Sequence, residues 1–292
     1  MSHDGAVSPP SPIDPASLLR VPPGPVDLAA WATDATPGFT GDKAEGKRAL
    51  AGLGGPLGDL QERLYAEGTS GAGDRAVLLV LQGMDTSGKG GVVRNAVGLV
   101  DPQGVRITSF KAPSAEELEH DFLWRIRRGV PGCGKIGVFD RSHYEDVLIA
   151  RVRKLVPAEE LERRYDAIND FEAELVASGV RLLKVMLHVS RETQRERLLA
   201  RLDDPTKHWK FEPGDIDERG RWDEYRRAYE IALERTSTAV VPWHVVPADR
   251  KWFRNLAVGR LLLAELEQMA PVWPAADFDV DQQRDRLLAE DA

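Results

Sequence analysis

Five short apolar runs alternate with helix-compatible segments between positions 76 and 271 of this 292-residue chain. The first run, AVLLVLQ at 76–82, stays apolar almost throughout, which is typical of a strand buried on both faces of a parallel sheet. Strands that alternate with helices indicate a parallel sheet with helices on both sides. We therefore predict an α/β fold. The other predicted strands lie at 105–110, 135–140, 180–190 and 243–248.

The segments before and after this pattern differ from it in composition. Residues 1–41 contain the proline clusters SPPSPIDP and VPPGP, so we expect an extended or loosely ordered N-terminal arm. A single domain is predicted at 42–271. Residues 272–292 are acidic, and we expect a loose C-terminal tail there.

Two helices of the domain can be bounded from local signals. One is expected from about Lys89 to Leu99, directly after a glycine-rich turn. A second is expected over 114–129, because Ser114 and Glu117 have the spacing of a capping box.

The composition limits the classes of function. The formal net charge of −8 argues against a general nucleic-acid-binding protein, which usually carries a basic balance. Cys133 is the only cysteine, which excludes an internal disulfide and a metal site built on two thiols. No apolar run reaches the length of a membrane span, and the N-terminus lacks a signal-peptide pattern. We expect a cytoplasmic protein with no nucleic-acid or membrane partner.

A phosphate-binding loop is predicted between the first strand and the helix that follows it. The sequence GMDTSGK fits G-x-x-x-x-G-K, although the next residue is Gly90 where Ser or Thr is usual. Glycines let backbone N–H groups turn toward an anion, and Lys89 can reach the outer phosphates. A glycine-rich turn without a ligand is the alternative. The residues assigned to phosphate binding are Gly83, Thr86, Ser87, Gly88, Gly90 and Gly91.

Two aspartates are candidate metal ligands. Asp85 lies inside the loop, where a carboxylate would repel bound phosphates unless a cation lay between them. The alternative for Asp85 is a turn-forming role. Asp140 ends the apolar strand at 135–140, as the Mg²⁺-binding aspartate of P-loop proteins does.

The residues after Asp140 suggest further roles. Arg141 can brace a transferring phosphoryl group, or alternatively form a structural salt bridge. His143 is expected to be a packed or partly exposed histidine. A metal role is the alternative, and it is disfavoured because His143 has no histidine partner at metal-ligand spacing.

A polar stretch at about 195–221 interrupts the strand–helix pattern and is predicted to form a lid. Closure of such a segment over the phosphates excludes water, which would otherwise accept the phosphoryl group. A solvated basic face is the alternative. Lys111 is expected on the same edge of the sheet, at the end of the second strand. The basic residues predicted to contact phosphates from the lid are Arg197, Arg201, Lys207 and Lys210.

A family resemblance rests on several motifs that occur in this order: GMDTSGKGG, FKAP, FDRSHYEDVL, RLDDPTKHWKF, W-x-x-Y-x-x-A and TSTAVVPWHVVPADRKWFRN. Together they resemble the polyphosphate kinase 2 family. The phosphate loop of that family also has glycine after the lysine and aspartate early in the loop. The glycine at 90 therefore fits the family pattern.

The resemblance implies a P-loop kinase fold similar to that of thymidylate kinases, with three layers, a parallel central sheet and a helical lid. It implies phosphoryl transfer between inorganic polyphosphate and nucleotides that depends on Mg²⁺, or on Mn²⁺ in its place. Asp85 and Asp140 would hold the metal, and Lys89 and Arg141 would grip the transferring region. Arg201 would join them from the lid.

The resemblance also bears on the acceptor and on assembly. The segment SHYEDVL is similar to the branch that accepts nucleoside monophosphates as well as diphosphates. In that branch Glu145 and Asp146 would lie near the nucleotide. A homo-oligomer, either a dimer or a tetramer, is expected.

Two other functions compete with this interpretation. An ATP-dependent nucleoside monophosphate kinase would share the loop, the lid and the fold class. A non-catalytic P-loop module would bind nucleotide or polyphosphate without turnover.

Overall fold

The computed structural model of the protein describes residues 15–290. Predictions that concern positions 1–14, 291 and 292 lie outside the described residues. The strands are β1 (Ala76–Gln82), β2 (Val105–Ser109), β3 (Ile136–Asp140), β4 (Val180–His188) and β5 (Trp243–Pro247). The α-helices are α1 (Pro15–Leu19), α2 (Lys43–Gly52), α3 (Gly54–Ser70), α4 (Lys89–Asn95), α5 (Ala115–Leu118), α6 (Trp124–Gly129), α7 (Glu145–Val152), α8 (Ala158–Ala177), α9 (Arg191–Leu202), α10 (Gly214–Gly220), α11 (Trp222–Thr236), α12 (Lys251–Met269) and α13 (Val280–Glu290).

The five strands form one parallel sheet in the order β2-β3-β1-β4-β5. This confirms the predicted α/β class and the position of each predicted strand. The central strand β1 is buried along its whole length, and hydrophobic clusters pack on both faces of the sheet. The β1–β3 register places Leu81 beside Asp140. The carboxyl ends of β1 and β3 therefore meet at one edge, where ligands bind in open α/β sheets.

The two predicted helices are shorter than expected. The helix predicted to end near Leu99 ends at Asn95, and a 3-10 turn (Val97–Leu99) follows it. Gly98 lies in that turn. Because glycine is a poor helix former, the α-helix does not continue through it, and the chain forms a 3-10 turn before β2.

The prediction of one helix over 114–129 is wrong, although its capping box is present. Ser114 and Glu117 form both capping hydrogen bonds, but the helix stops after four residues. A second helix, α6, starts after a turn in which the Asp121 side chain accepts from Leu123 N. This local hydrogen bond competes with continuation of the helix.

The described part of the predicted N-terminal arm is packed against the domain. Val21 N donates to Trp243 O at 2.8 Å, which adds a short contact along β5. Val26 N and Leu28 N donate to carboxylates of α11 at 3.0 and 3.2 Å. Leu19, Val21, Val26 and Leu28 are all buried, and their apolar surface explains why the arm adheres.

The predicted C-terminal tail contains α13, none of whose residues is buried. Asp279 precedes this helix, and its side chain accepts from Gln282 N at 3.0 Å. Positions 280–290 contain neither glycine nor proline, so nothing in this stretch opposes a helix.

One close backbone contact requires a glycine. A Cβ at Gly68 of α3 would lie 2.5 Å from main-chain atoms of Gly134, in the loop before β3. We expect Gly68→Ala to lower the free energy of unfolding by about 1–3 kcal/mol, because backbone must move. Gly58→Ala, on the same helix with open space around it, is the control and should stabilise by about 0.5–1 kcal/mol. Urea denaturation of both variants tests this; equal effects would contradict it.

Candidate active site

The phosphate loop joins β1 to α4 and has three left-handed backbone positions. Gly83 and Gly88 have φ of 148° and 108°, which glycine adopts without steric cost. Thr86 is a non-glycine residue at φ 62°. The hydroxyl groups of Thr86 and Ser87 are buried and, among the described residues, have no hydrogen-bond partner. A tight turn with unsatisfied polar atoms is typical of a site that is completed by a ligand.

Lys89 lies at the start of α4 and folds back over the loop. Its Nζ donates to Gly83 O at 2.9 Å. Loop and lysine are therefore arranged as the sequence motif predicts, with the cation near the space that the loop encloses.

Asp85, Asp140, Arg141 and Glu145 converge at the mouth of the loop. Arg141 Nη2 lies 3.3 Å from Asp85 Oδ1. Burial by itself would lower the pKa of Arg141, but Glu145, Asp85 and Asp140 raise it above its ordinary value. Arg141 has φ 64°, so its backbone is held in a conformation that costs energy for a residue with a Cβ. Strain of this kind is concentrated at functional sites.

Glu145 begins α7 and faces the same mouth. The amide of Gln82 can donate to Glu145 Oε1 at 3.1 Å while its oxygen accepts from Ser142. Burial raises the pKa of Glu145, although the charges of Arg141 and Lys89 oppose the rise. The ionised form of Glu145 therefore lowers the stability of the folded protein.

This cost predicts a pH-dependent stability effect. A raised pKa in the folded state means that the folded protein binds more protons, so its stability falls as pH rises through that pKa. We expect Glu145→Gln to unfold at a higher temperature than wild type at pH 8, with a smaller difference at pH 4.5. Thermal melts across this range test the prediction, and a pH-independent difference would contradict it.

Asp146 has a different environment from Glu145. Its carboxylate pairs with Arg125 at 3.4 Å and with Arg164 at 3.8 Å. Burial raises the pKa of Asp146, and these two arginines oppose the rise. Arg125 also donates to Lys111 O at 2.7 Å. Asp146 thus connects α7 to the loop after β2, and its predicted contact with nucleotide stays a prediction.

A basic cavity of about 380 Å³ lies at the carboxyl end of β2. Lys111 is exposed on its rim, as predicted for this edge of the sheet. Phe110 and Gly129 are apolar members of the lining, and Glu117 is an acidic one that lies 3.7 Å from Arg125. The cavity's basic lining residues are Arg106, Lys111, Arg125 and Arg128.

The predicted lid region contains the end of α9, a 3-10 helix (Pro205–Lys210) and α10. Lys207 and Lys210 are exposed; the first pairs with Asp204, and the second lies over the ring of Trp209. Arg201 donates to Lys210 O at 2.7 Å and lies 3.3 Å from an oxygen of Asp215.

Arg197 occupies a different position from the other lid residues. Its guanidinium donates to the main-chain oxygens of Thr86 and Ser87 in the phosphate loop, at 2.8 and 3.2 Å. It also donates to Ala248 O and Asp249 O, at 2.6 and 2.9 Å. These contacts brace the loop from outside its mouth.

Three residues that the motif analysis did not single out also hold the loop. Tyr229 OH accepts from Gly83 N at 3.2 Å, and Gln194 Nε2 donates to Asp85 O at 3.2 Å. Arg254 Nη1 donates to Ser87 O at 3.0 Å. Arg254 lies in the family motif TSTAVVPWHVVPADRKWFRN. Its place in that motif was the only sequence feature that could have indicated a role at the site.

Below the mouth lies a buried network of charged residues. His143 is fully buried, as expected of a packed histidine, and its Nε2 lies 3.3 Å from Glu172. Lys184 Nζ donates to Glu172 at 2.6 Å and to Tyr144 OH at 3.1 Å. This network fixes the segment that directly follows Arg141.

Metal binding was assessed on the described residues alone. Between 15 and 290 there is no group of three or more His, Cys, Asp or Glu side chains arranged to hold a metal. Mg²⁺ commonly takes only one or two carboxylates and completes its shell with phosphate and water oxygens. Asp85 and Asp140 are hard oxygen donors of that kind, and both carboxylates act on Arg141. The residues fit Mg²⁺.

The fold and the site together define a P-loop phosphotransferase. A strand–loop–helix with an in-loop lysine is followed by an aspartate on the neighbouring strand, which is the arrangement that positions phosphates and their metal. Helices of the described part of the chain include none that is long and apolar enough to cross a membrane.

Comparison with known proteins identifies the family. The model of the family described as Polyphosphate kinase 2 matches residues 40–273. A protein of Meiothermus ruber named AMP/ADP-polyphosphate phosphotransferase is 45% identical over 253 residues, which cover 87% of this chain and 93% of that protein. A protein of Rhodopseudomonas palustris named ADP-polyphosphate phosphotransferase is 42% identical, over 90% of this chain and 94% of its own length. The crystal structure of polyphosphate kinase 2 from Arthrobacter aurescens superposes with a TM-score of 0.92 at 53% identity, covering 95% of this chain and 98% of that one. The chain belongs to the polyphosphate kinase 2 family.

Proposed function

We propose that this protein transfers phosphoryl groups between inorganic polyphosphate and the nucleotides AMP and ADP. The observation that carries the proposal is the convergence of Asp85, Asp140 and Arg141 at the mouth of the phosphate loop. The family match over residues 40–273 and the names of the two relatives support polyphosphate as donor and AMP or ADP as acceptor.

The reaction needs positioning and charge neutralisation more than covalent chemistry. An oxygen of the nucleotide's terminal phosphate attacks the terminal phosphorus of polyphosphate. A new P–O bond forms as the bridging P–O bond breaks, and a polyphosphate shorter by one unit leaves. No general base is required, because the attacking oxygen is already ionised at neutral pH. Lys89 and Arg141 offset the charge that accumulates on the transferring group.

The metal belongs to the proposal. We propose that Asp85 and Asp140 hold Mg²⁺, which Mn²⁺ can replace. When bound, the cation screens the repulsion between the two phosphate chains and the carboxylates. Glu145, which faces the same mouth as Arg141, is proposed to contact the nucleotide.

The remaining basic residues divide into two groups. Arg201, Lys207 and Lys210 are proposed to contact polyphosphate when the lid closes, since the two lysines are exposed and can reach a ligand. Lys111 and its basic cavity extend the positive surface beyond the loop, which suits a long polyanion better than a single nucleotide.

The decisive assay uses purified protein, Mg²⁺ and long-chain polyphosphate without ATP. AMP and ADP are offered separately, and the products are resolved by ion-exchange chromatography. ADP and ATP formed from AMP support the full proposal. ATP formed from ADP alone would withdraw AMP as a substrate and the role given to Glu145.

The same assay separates the competing functions. Transfer only when ATP is the donor would favour a nucleoside monophosphate kinase. Binding of polyphosphate without turnover from any donor would favour a non-catalytic module. The predicted dimer or tetramer is a separate proposal, and light scattering of the purified protein measures its mass.

A further inference from the structure

We infer that Arg254 is a positioning residue for phosphoryl transfer, which acts by holding the phosphate loop from beneath through Ser87 and Gly88. Arg254 lies on α12, outside the loop and outside the lid. This inference deepens the proposed function and rests on it for the identity of the anion that the loop binds.

The first argument is burial of a cation that has no carboxylate partner within residues 15–290. Arg254 is only 3% exposed. Its donors go to neutral oxygens: Nη1 to Ser87 O at 3.0 Å, and Nε and Nη2 to Asn255 Oδ1 at 3.1 and 2.9 Å. Burial, and then the nearby charge of Arg197, lower the pKa of Arg254 to about 10. A buried cation without a carboxylate is costly, so its retention at this place calls for a counter-charge.

The second argument concerns what the guanidinium groups touch. The carbonyl oxygen of Ser87 accepts from both Arg197 and Arg254. A peptide unit is planar and trans, so the N–H of Gly88 lies at the opposite end of the same unit. Donors on the oxygen polarise the unit and strengthen its N–H as a donor to an anion. The two cations thus act on the inner surface of the loop without entering it.

The third argument is steric and explains two glycines. A Cβ on Gly88 or on Gly91 would overlap the guanidinium of Arg254. Glycine at 88 is also required by its backbone, because φ is 108° there. The backbone of Gly91 has no positive φ, so its conformation does not require glycine. Space for Arg254 is therefore the structural reason for glycine at 91. The loop and the guanidinium fit together as one unit.

The unsatisfied hydroxyl groups at this turn point to the missing partner. Thr86 Oγ1 and Ser87 Oγ are buried and, within residues 15–290, lack hydrogen-bond partners. They lie on the two residues whose carbonyls the cations hold. A phosphate group bound by the loop would supply the counter-charge that Arg254 lacks among the described residues.

The test measures binding without turnover. The dissociation constant of inorganic tripolyphosphate with Mg²⁺ is determined by titration calorimetry for wild type, Arg254→Lys and Arg254→Gln. We expect Arg254→Gln to weaken binding about 10-fold or more, because a charge-assisted hydrogen bond to the loop is lost. Arg254→Lys keeps the charge but not the planar fork, so an intermediate value is expected. Polyphosphate KM should rise in the same order.

The matched control is Arg260→Gln on the same helix. Arg260 donates to Gly38 O at 3.4 Å and lies over the Phe39 ring, away from the loop. Its variant should bind tripolyphosphate within about twofold of wild type. Circular dichroism and thermal melts establish that each variant is folded, so a loss of stability alone cannot pass as a loss of binding.

A double-mutant cycle covers the case in which Arg254→Gln does not fold. Gly91→Ala should displace the guanidinium and weaken binding in wild type, but weaken it less in the Arg254→Lys background, where the fork is absent. Equal effects of Gly91→Ala in both backgrounds would overturn the inference. So would a folded Arg254→Gln protein with a dissociation constant and polyphosphate KM within twofold of wild type. A wild type that binds tripolyphosphate but transfers nothing would refute only the proposed function.

Discussion

Asp85→Asn is expected to lower kcat by about 100-fold to 1,000-fold, in the range seen when one preorganised charge-stabilising group is removed. The substitution keeps the shape of the side chain and removes its charge. Asp85 lies 3.3 Å from Arg141 at the loop mouth, so the variant loses the partner of that arginine and the hard anionic ligand that we propose for Mg²⁺. The far-UV spectrum and the melting temperature should stay close to wild type, because Asp85 is partly exposed.

Metal titration separates the two losses. If Asp85 holds Mg²⁺, the Mg²⁺ concentration that gives half-maximal rate should rise together with the fall in kcat. Asp166→Asn is the control: this exposed aspartate of α8 pairs with Arg235 at 3.6 Å and is remote from the loop. A folded Asp85→Asn protein with near-normal turnover would rule out the role proposed for this carboxylate.

The strands and the loop were predictable because their signals are local. Continuous apolar runs give buried parallel strands, and the spacing of glycine and lysine predicts the loop whatever the rest of the chain does. Asp140 follows from the same logic, since a residue that ends one strand lies at the same edge as the loop that ends its neighbour.

The orientation of long side chains was not predictable in this way. Arg197 and Arg201 are four residues apart on α9 and share a face, so their spacing gave both the same predicted role. The structure directs Arg197 to four main-chain oxygens and Arg201 toward Asp215. The acceptor that a guanidinium reaches depends on where β5 and the phosphate loop lie in space. The helical spacing of the two arginines carries no information about those positions.

Residues that support the site from other elements were missed for the same reason. Arg254 approaches the loop across more than 160 positions of sequence. Lys184 lies in the buried stretch of β4 from Leu182 to His188, and its sequence position alone does not reveal a partner. A charged residue inside an apolar strand is nevertheless a usable signal, because a buried charge requires a counter-charge.

Lys184→Met is expected to lower the free energy of unfolding by about 3–5 kcal/mol, the cost of leaving one member of a buried ion pair alone. Lys184 and Glu172 are at most 2% exposed and lie 2.6 Å apart. Burial alone would raise the pKa of Glu172, but Lys184 and His143 lower it, so the carboxylate is ionised in the folded protein. Methionine removes the cation and leaves this charge without its main partner.

The sign of the pH dependence distinguishes this cause from lost packing. Without Lys184, burial raises the pKa of Glu172, so the folded variant binds a proton that the unfolded chain releases. The destabilisation should therefore be largest at neutral pH and shrink as pH falls. Urea denaturation at pH 5 and pH 7.5 measures it, and a pH-independent loss would contradict the charge argument.

Removing both charges should restore most of the stability. In Lys184→Met/Glu172→Gln no carboxylate is left unpaired, and replacement of a buried ion pair by neutral groups is often close to neutral in free energy. Activity should recover less than stability does. His143 and Tyr144 follow Arg141 by two and three positions, and both contact Glu172, at 3.3 and 2.7 Å. The neutral pair can hold the fold together while it holds the strained Arg141 less firmly, so kcat should stay below wild type in a protein that melts near the wild-type temperature.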